Sequence, residues 1–377
     1  MSEVTLPPPA TDARVIVGLS GGVDSAVAAL LLKESGWDVQ GLFMSNWEEE
    51  DDAWCTAARD FQDARVVARE LGMVLHRASF AAEYRERVFR HFLREHEAGR
   101  TPNPDVLCNR EIKFGVALEW ARRLGATRFA TGHYARLLPA ADGLALYKGV
   151  DGAKDQSYFL HALSAAQLAR TLLPLGGLHK SEVRARARRA GLPVFDKPDS
   201  SGICFIGERP FREFLARFLE RTPGPIESPA GERLGTHEGL AFYTLGQRGG
   251  LGIGGRAGHA EQAWYVAAKN AVHNTLVIVQ GHDHALLCSG ALRTESWHWL
   301  VPARRARFPC SVKVRYRQAD QLALLEPCAD GAMHVRFDHP QRAVTPGQYA
   351  VAYEGERCLG GGVIAATATL AVEAAAA

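Results

Sequence analysis

The first half of the chain alternates between two patterns of apolar positions. Between residues 13 and 199, short β-branched runs typical of buried strands alternate with segments whose apolar residues recur at helical spacing. The predicted strands span residues 15–17, 39–43, 74–77 and 128–131, and the predicted helices span residues 26–34, 56–71, 82–98 and 113–124. This alternation predicts parallel βαβ units. We therefore expect an α/β domain with a doubly wound parallel sheet, whose ligand binds at the carboxyl ends of the strands.

The second half of the chain has shorter apolar runs and many turn residues. A short helix is predicted over residues 208–219, and a glycine-rich run over 246–258 follows. Short β-rich runs lie at residues 264–267, 275–279, 310–316, 322–325, 333–337 and 349–353. Their spacing predicts a small antiparallel barrel or sandwich. The predicted organisation is a tail (1–12), the doubly wound domain (13–206), a small central domain (207–280), a C-terminal β-barrel (281–366) and an Ala-rich tail (367–377).

The turn between the first strand and the first helix carries the most information. Its sequence is Gly18-Leu-Ser-Gly-Gly-Val-Asp-Ser25. Glycines allow close backbone approach, and the unpaired N–H groups at a helix N-terminus attract an anion. No lysine follows the glycines, so the turn is not a Walker A loop. Asp24 would repel a bare phosphate, but it suits a Mg²⁺ ion that bridges to phosphates. The alternative is an ordinary strand-to-helix turn.

Length and composition describe a globular protein of about two or three domains: 377 residues, 47% hydrophobic and 23% charged. No segment has the roughly 18 uninterrupted apolar residues of a membrane helix, so we expect no membrane partner. The first ten residues lack the charged and apolar regions of a signal peptide. Seven scattered cysteines do not form a secreted disulfide pattern. We therefore predict a cytoplasmic protein with reduced thiols.

Charge does not decide for or against nucleic acid, because the net charge is only +2. Two basic clusters are more informative than this total. They are Arg184, Arg186, Arg188 and Arg189, and Arg304, Arg305, Arg307, Lys313, Arg315 and Arg317. Such clusters can follow a phosphate backbone, although each alone is more typical of a solvated face.

Two cysteines have surroundings that indicate chemistry. Cys108 follows a Pro-rich polar turn near a predicted helix start, close in sequence to Arg110 and Lys113, so its thiol should ionise easily. Cys204 follows Ser-Ser-Gly in a loop that could move. Together they could act as a nucleophile and a resolving thiol. The alternatives are a buried structural cysteine and an unrelated loop cysteine. No Cys-x-x-Cys pair is present, which disfavours a zinc ribbon.

The glycine turn resembles the loop of the ATP-pyrophosphatase (PP-loop) enzymes, which cleave ATP to AMP and pyrophosphate. A set of further motifs, in the same order, resembles the bacterial tRNA-specific 2-thiouridylases over nearly the whole chain except its tails. These motifs are Asn103-Pro-Asp-Val-Leu-Cys108, Ala130-Thr-Gly-His-Tyr134, Lys154-Asp-Gln-Ser-Tyr158, Ser201-Gly-Ile-Cys-Phe-Ile-Gly-Glu-Arg209, Thr244-Leu-Gly-Gln-Arg248, Val314-Arg-Tyr-Arg317 and Thr345-Pro-Gly-Gln348.

The resemblance implies an adenine nucleotide alpha hydrolase-like first domain, a tRNA-binding central domain and a tRNA-uridine 2-sulfurtransferase activity. ATP would adenylate the C2 oxygen of the wobble uridine in tRNAs for Lys, Glu and Gln, with release of pyrophosphate. A cysteine persulfide would then supply sulfur, AMP would leave, and a Cys108–Cys204 disulfide would remain. The implied cofactors are ATP and Mg²⁺, and the implied partners are tRNA and a sulfur-carrier protein.

The resemblance also assigns roles to residues. Cys108 corresponds to the nucleophile, Cys204 to the persulfide carrier, and Asp105 to a further catalytic residue. The implied ATP contacts are Gly18, Leu19, Ser20, Gly21, Gly22, Val23, Asp24, Ser25, Met44 and Gly132, with Asp24 as the candidate Mg²⁺ ligand. The implied target-base contacts are Asn103, Pro104 and Asp105. The implied tRNA contacts are His133, Lys154, Asp155, Gln156, Arg315, Tyr316 and Gln348.

Several alternatives stay open on the sequence alone. An argininosuccinate- or GMP-synthetase-like ligase would share the loop without needing paired cysteines. A non-catalytic RNA-binding protein would explain the β-rich region but not an acid in a phosphate loop. Cys108 and Cys204 could instead hold an iron–sulfur cluster with a third ligand, and a direct hydrosulfide attack guided by Cys108 is a further variant. His133 could be a core histidine, and residues 315–317 an ordinary alternating strand.

Overall fold

The computed structural model describes residues 8–9, 13–47, 57–199, 211–254 and 262–369. Its strands, in chain order, are β1 (Arg14–Gly18), β2 (Asp38–Ser45), β3 (Leu75–Ser79), β4 (Arg128–Ala130), β5 (Ala135–Ala140), β6 (Gly143–Lys148), β7 (Thr171–Leu172), β8 (Gly224–Glu227), β9 (Arg233–His237), β10 (Trp264–Asn270), β11 (Thr275–Gln280), β12 (Cys288–Thr294), β13 (His298–Trp299), β14 (Phe308–Lys313), β15 (Gln321–Pro327), β16 (Met333–Arg342), β17 (Tyr349–Glu354) and β18 (Arg357–Thr369).

The α-helices are α1 (Val23–Glu34), α2 (Ala57–Glu70), α3 (Ala81–Tyr84), α4 (Arg90–Glu97), α5 (Pro104–Leu107), α6 (Leu118–Arg123), α7 (Ser157–Leu160), α8 (Ala165–Leu168), α9 (Lys180–Arg189) and α10 (Phe211–Leu215). The π-helical segments Arg85–Phe89 and Cys108–Ala117 join α3 to α4 and α5 to α6, so each group forms one continuous helical run. Short 3₁₀ turns, Leu240–Phe242 and Ala285–Leu287, lie before β10 and β12.

Five parallel strands form the first sheet, in the order β3-β2-β1-β4-β7. Alternate residues of β1 pack on opposite sides of it. Val15 and Val17 belong to the cluster that includes α1 and α9, whereas Ile16 belongs to the cluster that includes the helical run of α5 and α6. Both faces are therefore covered, and the predicted doubly wound α/β sheet is confirmed. The two-residue strand β7 was not predicted, because two residues show no periodicity.

The helix predicted over residues 113–124 begins earlier, at Pro104. The Asn103 side chain accepts a hydrogen bond from the Asp105 N–H at 3.2 Å, and proline occupies the first helical position. Both are ordinary signals of a helix start. The prediction was wrong because it followed the apolar periodicity alone. Cys108 therefore lies in the second turn of the helical run.

The central region forms a separate four-stranded sheet, in the order β10-β11-β8-β9. Strands β8 and β11 pair in parallel, and the other two pairings are antiparallel. The β-rich runs predicted at 264–267 and 275–279 thus belong to this sheet and not to the C-terminal barrel. The helix predicted over 208–219 is α10, which is shorter, and residues 208–210 lie outside the described part of the chain.

Six antiparallel strands close the C-terminal barrel, in the order β12-β16-β15-β14-β17-β18, because β18 also pairs with β12. The predicted barrel is confirmed, although the strand predicted over 310–316 ends at Lys313. Strand β18 was not predicted and runs to Thr369, into the segment predicted as a tail. Its glycines allow close packing: a Cβ on Gly361 would lie 2.6 Å from the carbonyl oxygen of Ala350.

A hairpin from the first domain extends the barrel sheet. Strands β5 and β6 pair with each other, and Tyr147 of β6 pairs with Arg357 of β18. Arg136 also bonds Glu356 at 2.7 Å, and Arg357 bonds Asp142 at 2.5 Å. The sequence analysis missed this hairpin. Its Asp142-Gly143 turn flanked by apolar residues is a recognised hairpin signal.

All three structural regions meet at Thr101, the residue that opens the polar turn before Cys108. The Thr101 N–H donates to the Pro346 carbonyl at 3.0 Å, and the Gln348 amide donates to the Thr101 carbonyl at 2.8 Å. The Thr101 hydroxyl lies 3.4 Å from the hydroxyl of Thr244 in the central region. Barrel and central region together therefore hold this turn. Separately, within the described ranges, no helix is both long and apolar enough to cross a lipid bilayer.

We predict that Gly347→Ala destabilises this junction. Gly347 has φ +92°, and an added Cβ would lie 2.9 Å from the backbone carbon of Thr101. The matched control is Gly355→Ala, where φ is +58° and an added Cβ meets nothing within 4 Å. The control should lose about 1 kcal/mol in free energy of unfolding from backbone strain alone, and Gly347→Ala at least about 2 kcal/mol. Calorimetry checks this, and equal losses would contradict the close contact at Thr101.

Candidate active site

The glycine turn forms a tight cradle at the carboxyl end of β1. The Leu19 N–H donates to the Leu42 carbonyl at 2.8 Å, which continues the pairing of β1 with β2. Gly21 has φ +76°, and a Cβ there would collide with the backbone carbonyl of Asp60. Gly22 precedes the first turn of α1 and makes no side-chain cap. The N–H groups at this helix start are therefore directed toward an incoming anion.

Ser25 holds the turn from inside. Its hydroxyl donates to the Gly22 carbonyl at 3.0 Å and accepts from the Ser20 N–H at 3.1 Å. Ser25 is buried, whereas Ser20 is exposed. The Ser20 hydroxyl lies 3.2 Å from that of Ser25 and accepts from the Gly22 N–H at 3.4 Å, so both serines shape the loop while Ser20 stays exposed on its surface.

The other two predicted ATP contacts lie against this turn. A Cβ added to Gly18 would lie 3.3 Å from the Met44 methyl carbon, and one added to Gly132 would lie 2.8 Å from the Ser25 nitrogen. Met44 belongs to β2, and Gly132 follows β4. The structure therefore brings these residues together at the carboxyl ends of three neighbouring strands.

Asp24 is neutralised by a lysine that the sequence analysis did not single out. The Lys180 ammonium lies 2.7 Å from both carboxylate oxygens of Asp24, and the Tyr134 hydroxyl donates to one of them at 2.7 Å. Lys180 also lies 2.6 Å from Asp199. Burial and the Asp24 carboxylate raise the pKa of Tyr134, so its hydroxyl keeps its proton. Lys180 is the first residue of α9, directly after a Gly-rich stretch, which is a sequence signal that could have found it.

A second lysine supports the loop from its other side. The Lys197 ammonium donates to the Gly21 carbonyl at 3.1 Å and lies 2.8 Å from Asp60 and 2.5 Å from Asp63. Burial acts to lower the pKa of Lys197, but these two carboxylates raise it above the usual value. The turn is thus flanked by two charged lysines, an arrangement that suits a polyanionic ligand.

The residues near the turn do not form a magnesium site by themselves. Among the described residues, no group of three or more His, Cys, Asp or Glu side chains could share a metal ion. Both oxygens of Asp24, the predicted ligand, are bonded to Lys180. The protein groups present fit the phosphates of ATP better than they fit a cation, so no catalytic step is derived through magnesium.

Cys108 is buried and lies near the start of a helical run. Its exposed fraction is 0%, and it lies in the second turn of the helical run that begins at Pro104. Arg110 is exposed and pairs with Glu111 at 2.8 Å. The thiol thus lies near a helix start, as predicted, but it is buried inside the second turn and not exposed beside Arg110. Cys204 falls within residues 200–210, outside the described part of the chain, so the pairing of the two cysteines stays a prediction.

Four of the seven predicted tRNA contacts have structural tasks. His133 is 9% exposed and its Nδ1 lies 2.8 Å from the Thr131 hydroxyl; burial, with Lys113 nearby, lowers its pKa well below the usual value. Asp155 is 4% exposed and accepts hydrogen bonds from the Gly149 and Ser157 N–H groups. The side chains of Gln156 and Gln348 bond the backbone of Tyr134 and Thr101, respectively.

The other three predicted tRNA contacts lie at or beside one open cavity of about 370 Å³. Lys154 and Tyr316 line it, together with Lys313, Arg317 and Gln318 among others. The Tyr316 ring lies 4.5 Å from that of Phe159, between ring centroids. The neighbouring Arg315 is exposed, and it donates one hydrogen bond to the Ala343 carbonyl at 2.8 Å. Cationic and aromatic groups together at one cavity suit RNA.

This cavity is linked to the glycine turn by a chain of ion pairs. Asp199 lies 2.6 Å from Lys180 and 2.6 Å from Lys154. Partial burial acts to raise the pKa of Asp199, but hydrogen bonds from these lysines lower it to about 2. Asp199 therefore stays charged at neutral pH and joins Lys180, beside Asp24 at the turn, to Lys154 at the cavity.

The two predicted basic clusters are not continuous phosphate tracks. Arg184 donates to the carbonyls of Phe195 and Lys197 and so closes the segment after α9. In the second cluster, Arg304 bonds Glu354 at 3.1 Å and Lys313 is buried next to Asp155. Arg315 and Arg317 remain exposed at the cavity side.

Three family models together match most of the chain. They are described as the tRNA methyl transferase HUP domain over residues 13–208, the tRNA methyl transferase PRC-barrel domain over 212–280, and the aminomethyltransferase beta-barrel domain over 289–364. A 4-thiouridine synthetase–RNA complex with bound ATP is 19% identical, with a TM-score of 0.33 over 56% of this chain and 51% of its own. That distant likeness carries no argument about function.

Curated relatives match the chain from end to end. The tRNA-specific 2-thiouridylase MnmA of Methylibium petroleiphilum is 54% identical over 94% of this chain and 98% of its own length. That of Chromohalobacter salexigens is 55% identical over 95% of this chain and 94% of its own length. Because this identity spans all three structural regions, the chain belongs to the MnmA family of tRNA-specific 2-thiouridylases.

Proposed function

We propose that the protein catalyses ATP-dependent 2-thiolation of uridine in tRNA, as a tRNA-uridine 2-sulfurtransferase. The observation that supports this proposal most directly is the glycine turn flanked by Lys180 and Lys197 at the carboxyl edge of the parallel sheet. The turn lies in a chain of the 2-thiouridylase family. Mass spectrometry of nucleosides from tRNA treated with the protein, ATP and a sulfur source tests the proposal. Absence of 2-thiouridine would contradict it.

The chemistry needs activation because the C2 oxygen of uridine is a poor leaving group. In the proposed first step, this oxygen attacks the α-phosphate of ATP and pyrophosphate leaves. The turn amides hold the phosphates, and Lys180 shifts from Asp24 toward the charge that develops on pyrophosphate. We propose that Mg²⁺ enters with ATP and offsets phosphate charge when bound; Asp24 is the one candidate ligand that the sequence analysis offers.

Sulfur transfer is proposed to use both cysteines. The terminal sulfur of a Cys204 persulfide attacks C2, and AMP leaves with the former C2 oxygen. The Cys108 thiolate then attacks the Cys204 sulfur, which releases 2-thiouridine and leaves a Cys108–Cys204 disulfide for an external thiol to reduce. Because Cys108 is fully buried, its helical run has to expose the thiol when tRNA binds.

The RNA is proposed to lie across the turn before Cys108 and the cavity near Tyr316. Asn103, Pro104 and Asp105 would contact the target base, which must leave the anticodon stack to reach the site. Asp105, half-buried beside the Asn103 side chain, is the proposed third catalytic residue. The central region, proposed as residues 207–280, would add tRNA contacts. The wobble uridine of tRNAs for Lys, Glu and Gln, a sulfur-carrier protein and a cytoplasmic location complete the proposal.

Lys180→Met should lower kcat/KM for ATP about 100-fold, because the turn loses the cation that balances both Asp24 and the phosphates. Arg189→Met is the matched control: it removes the same charge from the exposed side of the same helix. AMP formation at several ATP concentrations measures the effect. Normal AMP formation by the Lys180 variant would exclude the assigned role.

Substitution of each cysteine should block a different step of the proposed reaction. Cys204→Ser should still adenylate tRNA but form no 2-thiouridine with a sulfur-carrier donor, because a hydroxyl cannot carry a persulfide. Cys108→Ser should keep the persulfide on Cys204 yet fail to complete turnover. Cys328→Ser, at a partly exposed barrel cysteine, is the control. If both active-site variants thiolate tRNA at the wild-type rate, the persulfide mechanism is wrong.

Arg315→Ala should weaken tRNA binding and reduce the slope of log K against log[salt] by roughly 0.7–0.9, the value for one phosphate contact. Arg305→Ala removes an equally exposed arginine from the same basic cluster and serves as the control. Binding titrations at several salt concentrations give both slopes. Equal slopes for the Arg315 variant and the wild-type protein would place Arg315 away from the RNA.

A further inference from the structure

Asn46 is a buried amide whose two polar atoms have no partner among the residues that the structure describes. It lies one residue beyond the end of β2, and its exposed fraction is 1%. Neither Nδ2 nor Oδ1 makes a hydrogen bond with the described part of the protein. An unpaired buried amide costs free energy, and most buried polar side chains in native structures are paired. A residue that keeps such a group at the ligand edge of a sheet therefore needs an explanation.

The neighbours of Asn46 in the chain pack on the side of the sheet that carries Cys108. Leu42 of β2 belongs to the same apolar cluster as Cys108, and Met44 packs against that cluster. Phe43 belongs to the cluster on the other side, with α1. Trp47, directly after Asn46, also belongs to the cluster that contains Cys108. Asn46 therefore lies between Met44 and Trp47, two residues that pack on the Cys108 side.

The backbone around Asn46 is held on both sides. The Phe80 N–H donates to the Ser45 carbonyl at 2.9 Å. The Trp47 ring lies 4.8 Å from that of Phe89 and 6.2 Å from that of Tyr84, between centroids. Asn46 thus sits between two fixed neighbours, which is the arrangement that a preorganised binding residue requires.

We propose that Asn46 binds the base edge of the target uridine. Its Nδ2 donates to the O4 carbonyl and its Oδ1 accepts from N3–H, a donor and acceptor pair that matches the uracil edge. This assignment rests on the proposed thiolation of tRNA uridine. Asn46 is assigned to the target base because its neighbour Trp47 packs in the cluster that contains Cys108. Met44, a proposed ATP contact, packs against the same cluster, so the ATP kinetics below distinguish the base from adenine.

Asn46→Leu tests the assignment, because leucine has a similar volume and removes both polar atoms. We expect the variant to unfold at the wild-type temperature or higher, since an unpaired amide is lost. Its kcat/KM for tRNA should fall about 10- to 100-fold, the effect of losing buried hydrogen bonds to a ligand. Its KM for ATP should stay within about twofold of the wild-type value. Trp37→Phe is the control: it removes another buried, unpaired N–H, from the α1 side of the sheet, and should leave both parameters unchanged.

Three results would overturn the assignment. An unchanged kcat/KM for tRNA would make Asn46 a structural residue, and a raised KM for ATP with unchanged tRNA parameters would assign it to adenine. A leucine variant that does not fold would be replaced by Asn46→Ala, and loss of folding in both would show that the amide has a structural partner. A wild-type protein that forms no 2-thiouridine would instead contradict the proposed function, so the two failures are distinct.

Discussion

An acid inside an anion-binding turn has to be balanced, and much of the site depends on how this protein balances Asp24. The helix start attracts negative charge, while the Asp24 carboxylate on its first turn repels it. Lys180 from α9 and the Tyr134 hydroxyl resolve this conflict by bonding both carboxylate oxygens. These bonds connect the turn to Tyr134, which follows β4, and to α9. Lys180 also pairs with Asp199, the last described residue before the segment that contains Cys204.

The turn that leads to Cys108 depends on the other two regions of the chain. The Thr101 N–H donates to the Pro346 carbonyl of the barrel, and the Thr101 carbonyl accepts from the Gln348 side chain. The Thr101 hydroxyl lies 3.4 Å from that of Thr244. Arg100, the preceding residue, bonds Glu295 of the barrel as well as Glu95. The barrel therefore also holds the position of the turn that contains Asn103, Pro104 and Asp105, the residues proposed to contact the target base.

Hydrophobic periodicity predicted the strands and helices that bury a whole face. It missed several strands of the barrel and of the hairpin that extends it. The first four parallel strands and most helices were found because Val15–Val17 and similar runs show their pattern locally. Strands β5, β6 and β18 were missed although β5 pairs with β6, and β18 with β17, across short turns. The contact that no local pattern indicates is the pairing of Tyr147 with Arg357. The site divides in the same way. The glycine turn is contiguous and was found, whereas Lys180 reaches Asp24 across 156 residues, a contact that the local sequence does not indicate.

Motif resemblance and burial together separate two kinds of functional residue. His133, Asp155 and Gln348 match positions that the family resemblance assigned to tRNA, yet each side chain is bonded within the protein, and the first two are almost inaccessible. Their physical task is to fix the backbone that presents Tyr134, Lys154 and Thr101. Tyr316 lines the open cavity and Arg315 is exposed next to it in sequence, so both remain candidates for direct contact with RNA. Asn46 is the opposite kind of residue. No motif identified it, and the observation that supports its proposed role is a buried amide with no partner among the described residues.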